Sequence, residues 1–305
     1  MFPLENTNKY YHTLDYYYKK KYGKKVCKIS LNANFSCPNK VNGNGCIFCS
    51  KLGSGDFAGN IKDDLITQFN KVKEIMNKKW PDTYYIAYFQ ANTNTYASVK
   101  TLKEKFEPIL KLDNVVGINI ATRSDCISDE CLEYLIDLNR RTDLTIELGL
   151  QSSYDDTLKF IKRGHDVKNF TECVKKLKKN NIKVVAHIIN GLPGETAEMM
   201  INTAKFLNKL KIDGVKIHML HIIKNTELET VYKNKPFSLL TLEQYVEIVV
   251  KQLEVLNENI VIHRLTGDPK KEDLIEPLWV LKKFVVLNNI DKYMKEHHTY
   301  QGRLS

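Results

Sequence analysis

The chain has 305 residues, enough for about two average domains or for one large α/β barrel. With 43% hydrophobic and 27% charged residues it can bury a sizeable core, which excludes a wholly disordered chain. Its 46 Lys and Arg exceed its 36 Asp and Glu by ten. A polyanionic partner such as nucleic acid would explain this excess, and so would a solubilising surface.

Half of the positive excess lies in residues 1–30, which carry seven Lys against one Glu and one Asp. Six Tyr alternate with these Lys between Tyr10 and Tyr22. The pattern fits phosphate contacts combined with base stacking, and it equally fits an amphipathic segment whose Tyr side packs on the rest of the molecule. The segment lacks the apolar region of a secretory signal, and no window approaches a membrane span. We therefore expect a cytoplasmic protein without membrane contact.

Seven short, β-branched apolar runs predict strands, and segments of helical period separate them. The predicted strands cover 25–31, 84–90, 115–122, 144–151, 183–190, 214–220 and 259–265, and the predicted helices cover 61–79, 98–111, 128–140, 167–180, 196–210 and 241–257. Ser128 and Thr241 are candidate helix N-caps. This alternation is typical of parallel strands with right-handed crossovers. A doubly wound sheet and a full or partial β/α barrel both fit it.

Polar residues follow the predicted strands, at the end where both architectures place their chemistry. They are Gln90, Asn92 and Thr93 after the second strand, Arg123 after the third, Glu147 and Gln151 in the fourth, Asn190 in the fifth, His218 and His221 at the sixth, and Arg264 and Asp268 at the seventh. Ordinary capping of strand ends is the alternative, but six endings of one kind favour an active site.

Three cysteines, Cys37, Cys46 and Cys49, form a C-x8-C-x2-C pattern in a loop rich in Gly and Asn after the first strand. Thiolates select zinc or iron–sulfur. A [4Fe-4S] cluster with one open iron, a structural zinc site and three unrelated thiols all remain possible from spacing alone, although a closed zinc site has no clear fourth ligand nearby. Cys126, Cys131 and Cys173 are interpreted as small buried hydrophobes.

The chain resembles the YhcC/YtqA-type radical S-adenosylmethionine (SAM) family, relatives of the radical SAM domain of the Elongator catalytic subunit. The resemblance rests on YYKKKYGKKVCKISLNANFSCPNK, GCIFCSKLGSGDFAG, YFQANTNTYA, IELGLQS, FIKRGHD, HIINGLPGET, KIHMLHIIKNT, IHRLTGD and the terminal TYQG. The cysteine spacing differs from the superfamily's commonest C-x3-C-x2-C, and its first gap is shorter than is usual for this family.

The resemblance implies an α/β fold, a partial (β/α)6 TIM-like barrel of the radical SAM type with extensions at both termini. The basic, Tyr-rich N-terminal extension would cover 1–24 and the barrel 25–267, with the cluster loop at 37–49. A helical C-terminal extension would cover 268–305.

The resemblance also implies a role for each site residue. Cys37, Cys46 and Cys49 would hold a [4Fe-4S] cluster whose fourth iron SAM chelates. The residues expected to contact SAM are Phe48 by its backbone, Gln90, Asn92 and Thr93 at the ammonium, Glu147 and Gln151 at the ribose or sulfonium, Arg163 at the carboxylate and Gly191 at the adenine. Arg123, His218, His221, Arg264 and Asp268 would form the substrate rim. Read without the resemblance, Glu147 could be a satisfied buried carboxylate and Arg163 a surface charge.

The implied activity is reductive cleavage of SAM to a 5′-deoxyadenosyl radical, with electrons from a flavodoxin- or ferredoxin-type reductant. The implied substrate is tRNA, in which a wobble uridine of the carboxymethylaminomethyl type would be converted to the aminomethyl type, as for enzymes of the MnmL type. Two alternatives remain open. One is a radical SAM enzyme acting on a small metabolite or peptide, and the other is a non-catalytic, zinc-bearing RNA-binding protein.

Overall fold

The computed structural model describes residues 2–5, 7–50, 53 and 58–305, so parts of the family-like stretch after Cys49 lie outside the described residues. The strands are β1 (Val26–Leu31), β2 (Tyr84–Phe89), β3 (Val115–Thr122), β4 (Asp143–Gln151), β5 (Lys183–Asn190), β6 (Gly214–Met219), β7 (Ile222–Ile223), β8 (Val261–Arg264) and β9 (Leu274–Glu276).

The helices are α1 (Leu14–Tyr22), α2 (Pro38–Val41), α3 (Leu65–Lys79), α4 (Val99–Leu110), α5 (Asp129–Arg141), α6 (Asp155–Phe160), α7 (Val167–Lys179), α8 (Ala197–Lys209), α9 (Glu227–Asn234), α10 (Leu242–Val255) and α11 (Lys283–Glu296). The side chains of Ser128 and Thr241 cap α5 and α10 as predicted, the latter in a capping box.

Seven strands form one parallel sheet in the order β1-β2-β3-β4-β5-β6-β8. The sheet curls, so that side chains of its two edge strands meet. Lys28 Nζ on β1 lies 3.2 Å from His263 Nδ1 on β8. The backbones of β1 and β8 do not pair within the described part of the chain, so the barrel is open along this side. The predicted partial barrel is confirmed, and the doubly wound sheet is not the fold.

The N-terminal helix α1 lies between the two edges of the barrel. Just before it, Thr13 forms a parallel bridge with Ile262 of β8. Tyr18 is buried against Val26 and Ile86, and the Tyr22 hydroxyl donates to the Asp143 carboxylate. The structure therefore shows that part of the Tyr side packs on the barrel. The boundary of the N-terminal extension at residue 24 stays a prediction.

The C-terminal residues cover part of the open side of the barrel. Helix α11 packs on α10, and Gln301 accepts a hydrogen bond from His12 N at 2.8 Å, which joins the two ends of the chain. A small antiparallel sheet of β7 and β9, which the sequence did not predict, connects the region after β6 to residues 274–276. Among the described helices, none has the length and apolarity needed to cross a membrane.

Candidate active site

A cavity of about 210 Å³ opens where the parallel strands end. Eight residues predicted for the site line it together: Phe48, Cys49, Gln90, Gln151, His218, His221, Arg264 and Asp268. They come from the cluster loop and from the carboxyl ends of four strands. We call this cavity the mouth pocket.

The loop that carries the three cysteines is fixed to the turn after α6. Asn39 Nδ2 donates to the carbonyls of Lys162 and Arg163, both at 2.9 Å, and Ile47 N donates to Ile161 O at 3.2 Å. Cys37 precedes α2 as its N-cap residue. The loop therefore has a defined backbone path from Cys37 to Cys49, despite its Gly and Asn content.

All three thiols of the loop are free, and Cys46 is buried. Asn39 Nδ2 lies 3.4 Å and Arg163 Nη1 3.9 Å from Cys46 Sγ. The hydrogen bond from Cys49 and the nearby Arg163 guanidinium lower the pKa of Cys46 to about 5, against the opposing effect of burial. Cys46 is thus held as a thiolate, the form that binds metals.

The donor set fits an iron–sulfur cluster better than zinc. A structural zinc site needs about four ligands around one ion. Three soft thiols on one loop suit a cluster that leaves one iron open.

Arg163 is not the surface charge that the sequence left open, because it is only 6% exposed. Its Nε and Nη2 donate to the Gly149 carbonyl of β4 at 3.1 and 2.7 Å. A Cβ on Gly149 would lie 2.7 Å from Arg163 Nη2, so a side chain at this position would displace the guanidinium from its present place. Arg163 therefore connects the end of β4 to Cys46. Its expected contact with the SAM carboxylate stays a prediction.

The residues after β2 support the start of the cluster loop. Gln90 lines the mouth pocket, whereas Thr93 N donates to Ser36 O at 3.2 Å. Asn92 has a φ of 59° and accepts a hydrogen bond from Lys40 Nζ at 3.0 Å. Of the three residues predicted to meet the SAM ammonium, the structure places Gln90 at the mouth pocket and the other two against the loop.

Two residues at the ends of β4 and β5 have positive φ. Gln151 has a φ of 76° and lines the mouth pocket. Gly191 has a φ of 87° just after β5, and a Cβ there would lie 3.3 Å from Leu240 Cδ1. Gly191 thus provides both the backbone conformation and the space that the loop before α10 occupies.

Glu147 is fully buried and both of its carboxylate oxygens are bonded to protein groups. Oε1 accepts from Lys28 Nζ at 2.9 Å and Asn119 Nδ2 at 2.7 Å. Oε2 accepts from Lys216 Nζ at 2.5 Å and lies 2.9 Å from His187 Nε2. Burial raises the pKa of Glu147, but Lys216 and Lys28 outweigh it and hold the pKa well below its usual range. Glu147 is therefore the centre of an ionic network inside the barrel.

The sequence reasoning missed Lys28, Asn119 and Lys216, the partners of Glu147. Each is a polar residue inside an otherwise apolar strand run, and that pattern was the available signal. Polar side chains at the inner face of a barrel must find partners there, because water does not reach them. These three residues find theirs in Glu147.

Arg123 lies outside the mouth pocket. It is 4% exposed and forms two hydrogen bonds to Asp125, Nε to Oδ1 at 2.8 Å and Nη2 to Oδ2 at 2.6 Å. A Cβ on Gly164 would lie 2.9 Å from its Nη2, which places the guanidinium beneath the turn that anchors the cluster loop. Its expected role on the substrate rim stays a prediction. The other four rim residues do line the mouth pocket.

Comparison with known families gives two adjoining matches. Residues 36–207 match the model of the radical SAM superfamily, and residues 212–296 match that of the radical SAM C-terminal domain. The first match covers all three loop cysteines and ends within α8. The superfamily's cofactors are a [4Fe-4S] cluster and SAM, and we assign both to this chain.

Among curated proteins, the chain is 48% identical to YtqA of Bacillus subtilis, over 99% of this chain and 95% of that protein. It is 30% identical to YhcC of Escherichia coli K12, over 91% of this chain and 90% of that protein. A tRNA uridine(34) acetyltransferase of Methanocaldococcus jannaschii is 28% identical over 60% of this chain, which corresponds to 33% of that protein.

Among solved structures, the archaeal Elp3 of Methanocaldococcus infernus without residues 1–46 superposes with a TM-score of 0.68. The alignment covers 90% of this chain and 64% of that chain at 19% sequence identity. This likeness shows a shared fold. Together, the family models and the two extensive relatives show that the chain is a radical SAM superfamily protein of the YtqA and YhcC family.

Proposed function

We propose that the protein modifies the side chain of a tRNA wobble uridine, converting a carboxymethylaminomethyl group to an aminomethyl group. It would act in the cytoplasm with a flavodoxin- or ferredoxin-type reductant. The observation that carries this proposal is the convergence of the cluster loop and four strand ends on the mouth pocket, where a substrate side chain would lie beside Cys49 and Phe48.

In this proposal Cys37, Cys46 and Cys49 hold the cluster, with Arg163 and Asn39 donating to the Cys46 sulfur. When bound, the cluster supplies the electron for reductive cleavage of SAM. Gln90 and Gln151 face the mouth pocket and would bind polar groups of SAM. Phe48, which packs beside Leu220, would close one side of the pocket and exclude water from the reacting groups.

The choice of tRNA as substrate is supported by the relatives. One relative is named a tRNA uridine(34) acetyltransferase, and the Elongator complex protein 3 of Homo sapiens is 29% identical over 60% of this chain. The excess of ten positive charges gives the surface an electrostatic attraction for a polyanion. The mouth pocket is small enough that one extended side chain enters it rather than a whole folded ligand.

The experiment that tests the proposal is mass spectrometry of tRNA nucleosides from cells that lack the gene. We expect carboxymethylaminomethyl-uridine to accumulate and its aminomethyl-derived products to disappear, with reversal on expression of the intact gene. A complementing copy with Cys46→Ala is the matched control, because it should not restore the products. Unchanged wobble nucleosides would contradict the proposal.

A further inference from the structure

The open side of the barrel contains a second cavity, of about 430 Å³, between β1 and β8. Lys28, Lys216, Arg264 and Lys283 line it, and Gln90, Arg264 and Asp268 line both this cavity and the mouth pocket. The two cavities therefore adjoin each other. We call the combined space the chamber.

The chamber contains more cationic groups than carboxylates to neutralise them. Lys28 and Lys216 share one carboxylate, Glu147. Arg264 and Lys283 likewise share Asp268. A third acid at the wall, Asp15, is bonded to Lys19 and Lys25 outside the chamber. Among the described residues, these four lining cations thus share two carboxylates, Glu147 and Asp268.

The histidines of the chamber do not add to this positive charge. Burial lowers the pKa of His187 to about 4, the pKa values of His218 and His263 well below their usual range and the pKa of His221 as well, so all four are neutral near pH 7. Burial also lowers the pKa of Lys216 to about 7. The chamber therefore carries an excess of between one and two positive charges, and a bound anion would hold Lys216 in its charged form.

Two of the four cations are placed to act on one ligand. Lys216 and Arg264 are register partners on the neighbouring strands β6 and β8, so their side chains leave the sheet side by side. Lys216 Nζ is held by Glu147 and by the Tyr88 hydroxyl at 2.9 Å. Arg264 Nε is buried and has no hydrogen-bond acceptor among the described residues. A buried donor without an acceptor is costly, and an incoming anion would satisfy it.

We propose that Lys216 and Arg264 bind a carboxylate of the substrate, and that this pair selects a side chain that ends in a carboxylate over one that lacks it. The inference rests on the proposed function only for the identity of the substrate, since the excess charge is a property of the chamber itself. A guanidinium beside an ammonium suits a small planar oxyanion, and the narrow mouth pocket favours a short chain that ends in a carboxylate over a bulky phosphate ester.

The first test compares two anticodon stem-loop RNAs, one with carboxymethylaminomethyl-uridine and one with aminomethyl-uridine at the wobble position. Binding to the reconstituted, full-length protein with SAM is measured without oxygen by fluorescence anisotropy. We expect the wild type to bind the carboxylate RNA at least about tenfold more tightly. Lys216→Met and Arg264→Gln should each abolish this preference. Lys183→Met, which removes a partly buried lysine at the other end of the barrel, should retain it.

The second test removes RNA from the experiment. Binding of N-methylglycine, methylamine and inorganic phosphate to the same proteins is followed by ligand-observed NMR. We expect N-methylglycine to bind the wild type and the Lys183→Met variant but not the Lys216→Met variant, and methylamine not to bind. If N-methylglycine binds in this pattern but neither RNA binds the wild type, the carboxylate site is supported and the tRNA proposal is contradicted. Tighter binding of phosphate than of N-methylglycine, or unchanged binding to Lys216→Met, would overturn the inference.

Discussion

The two ends of the barrel differ in a way that cavity size does not reveal. At the amino ends of the strands, Asp143, Lys183, Asp213 and Val261 line the larger cavity, of about 640 Å³. The mouth pocket at the carboxyl ends has about 210 Å³. The larger cavity lies at the opposite end from the cysteine loop, and both of its aspartates are paired: Asp143 with Lys21 and Lys183, and Asp213 with Lys178.

The carboxyl end, in contrast, has groups whose bonding is incomplete. Arg264 Nε is buried there and lacks an acceptor among the described residues, and three free thiols lie on one loop. Unpaired buried donors persist where function requires them. The cysteine loop and the buried arginine, rather than cavity volume, therefore mark the active end of this barrel. Substitutions at the carboxyl end should therefore affect SAM cleavage, and substitutions at the amino end should affect stability.

The largest expected effect is at the cluster loop. Replacing Cys37, Cys46 or Cys49 with Ala removes one ligand, so each variant should lose the visible absorption of the cluster and all reductive formation of 5′-deoxyadenosine from SAM. Both are measured on anoxically reconstituted protein, by absorption spectroscopy and by chromatography. Cys173→Ala is the matched control, since Cys173 is buried in α7 and should leave both unchanged. A loop variant that still forms 5′-deoxyadenosine would refute the ligand assignment.

The second effect concerns stability at the opposite end. Asp143→Asn removes the carboxylate that Lys21, Lys183 and the Tyr22 hydroxyl share, which leaves partly buried ammonium groups without their counterion. We expect the free energy of unfolding to fall by about 2 kcal/mol, between the values for exposed and for buried ion pairs, measured by urea denaturation. Cleavage of SAM by the folded variant at low temperature should remain at the wild-type level. Loss of cleavage without loss of stability would show that the two ends are not separate in function.

A smaller effect is expected for the N-terminal lysines. Lys19 and Lys21 form ion pairs with Asp15 and Asp143, which reduces the charge they present to a polyanion. Changing Lys19, Lys20 and Lys21 together to Ser should still weaken tRNA binding and flatten its salt dependence, with a slope smaller by about 0.9 for each phosphate that the variant no longer neutralises. Affinity is measured over a range of salt concentrations. The same change at Lys71, Lys73 and Lys78 of α3 is the control, and equal slopes for the two variants would assign the N-terminal lysines to solvation alone.

The smallest effect is a pH dependence from His187. Burial lowers its pKa to about 4 in the folded protein, whereas an unfolded histidine titrates near about 6.5. Between these values the unfolded state binds more protons, so stability falls as the pH decreases from 6.5 toward 4. His187→Gln should therefore show a shallower decrease of Tm over this range than the wild type. His297→Gln, at an exposed position, should keep the wild-type slope of Tm against pH. Equal slopes for all three proteins would show that buried His187 does not cause the pH dependence.

Much of the fold could be predicted because its signals are local. The seven strands of the barrel lie within two residues of the predicted bounds, since apolar periodicity marks each strand along the chain. The two short strands β7 and β9 were missed, because they have two and three residues and pair across about fifty positions of sequence.

The site residues also divide into those that the sequence could predict and those that it could not. Residues at strand ends, such as Gln151, His218 and Arg264, were predictable because the ends of parallel strands meet at one side of the barrel. The partners of Glu147 were not, because Lys28 and Lys216 lie inside strands, and only the curl of the sheet shows which face is the interior. Arg123 ends a strand as predicted, yet its bonds to Asp125 direct it beneath the cluster loop.

The measurement that tests the central claim most directly is an anoxic assay that combines the reconstituted protein, SAM and a reductant with tRNA from cells lacking the gene. We predict that this tRNA stimulates formation of 5′-deoxyadenosine and that carboxymethylaminomethyl-uridine decreases as aminomethyl-uridine appears. The Cys46→Ala protein should do neither. The account would be contradicted if the added tRNA did not change the rate of 5′-deoxyadenosine formation and the wobble nucleoside of that tRNA stayed unchanged.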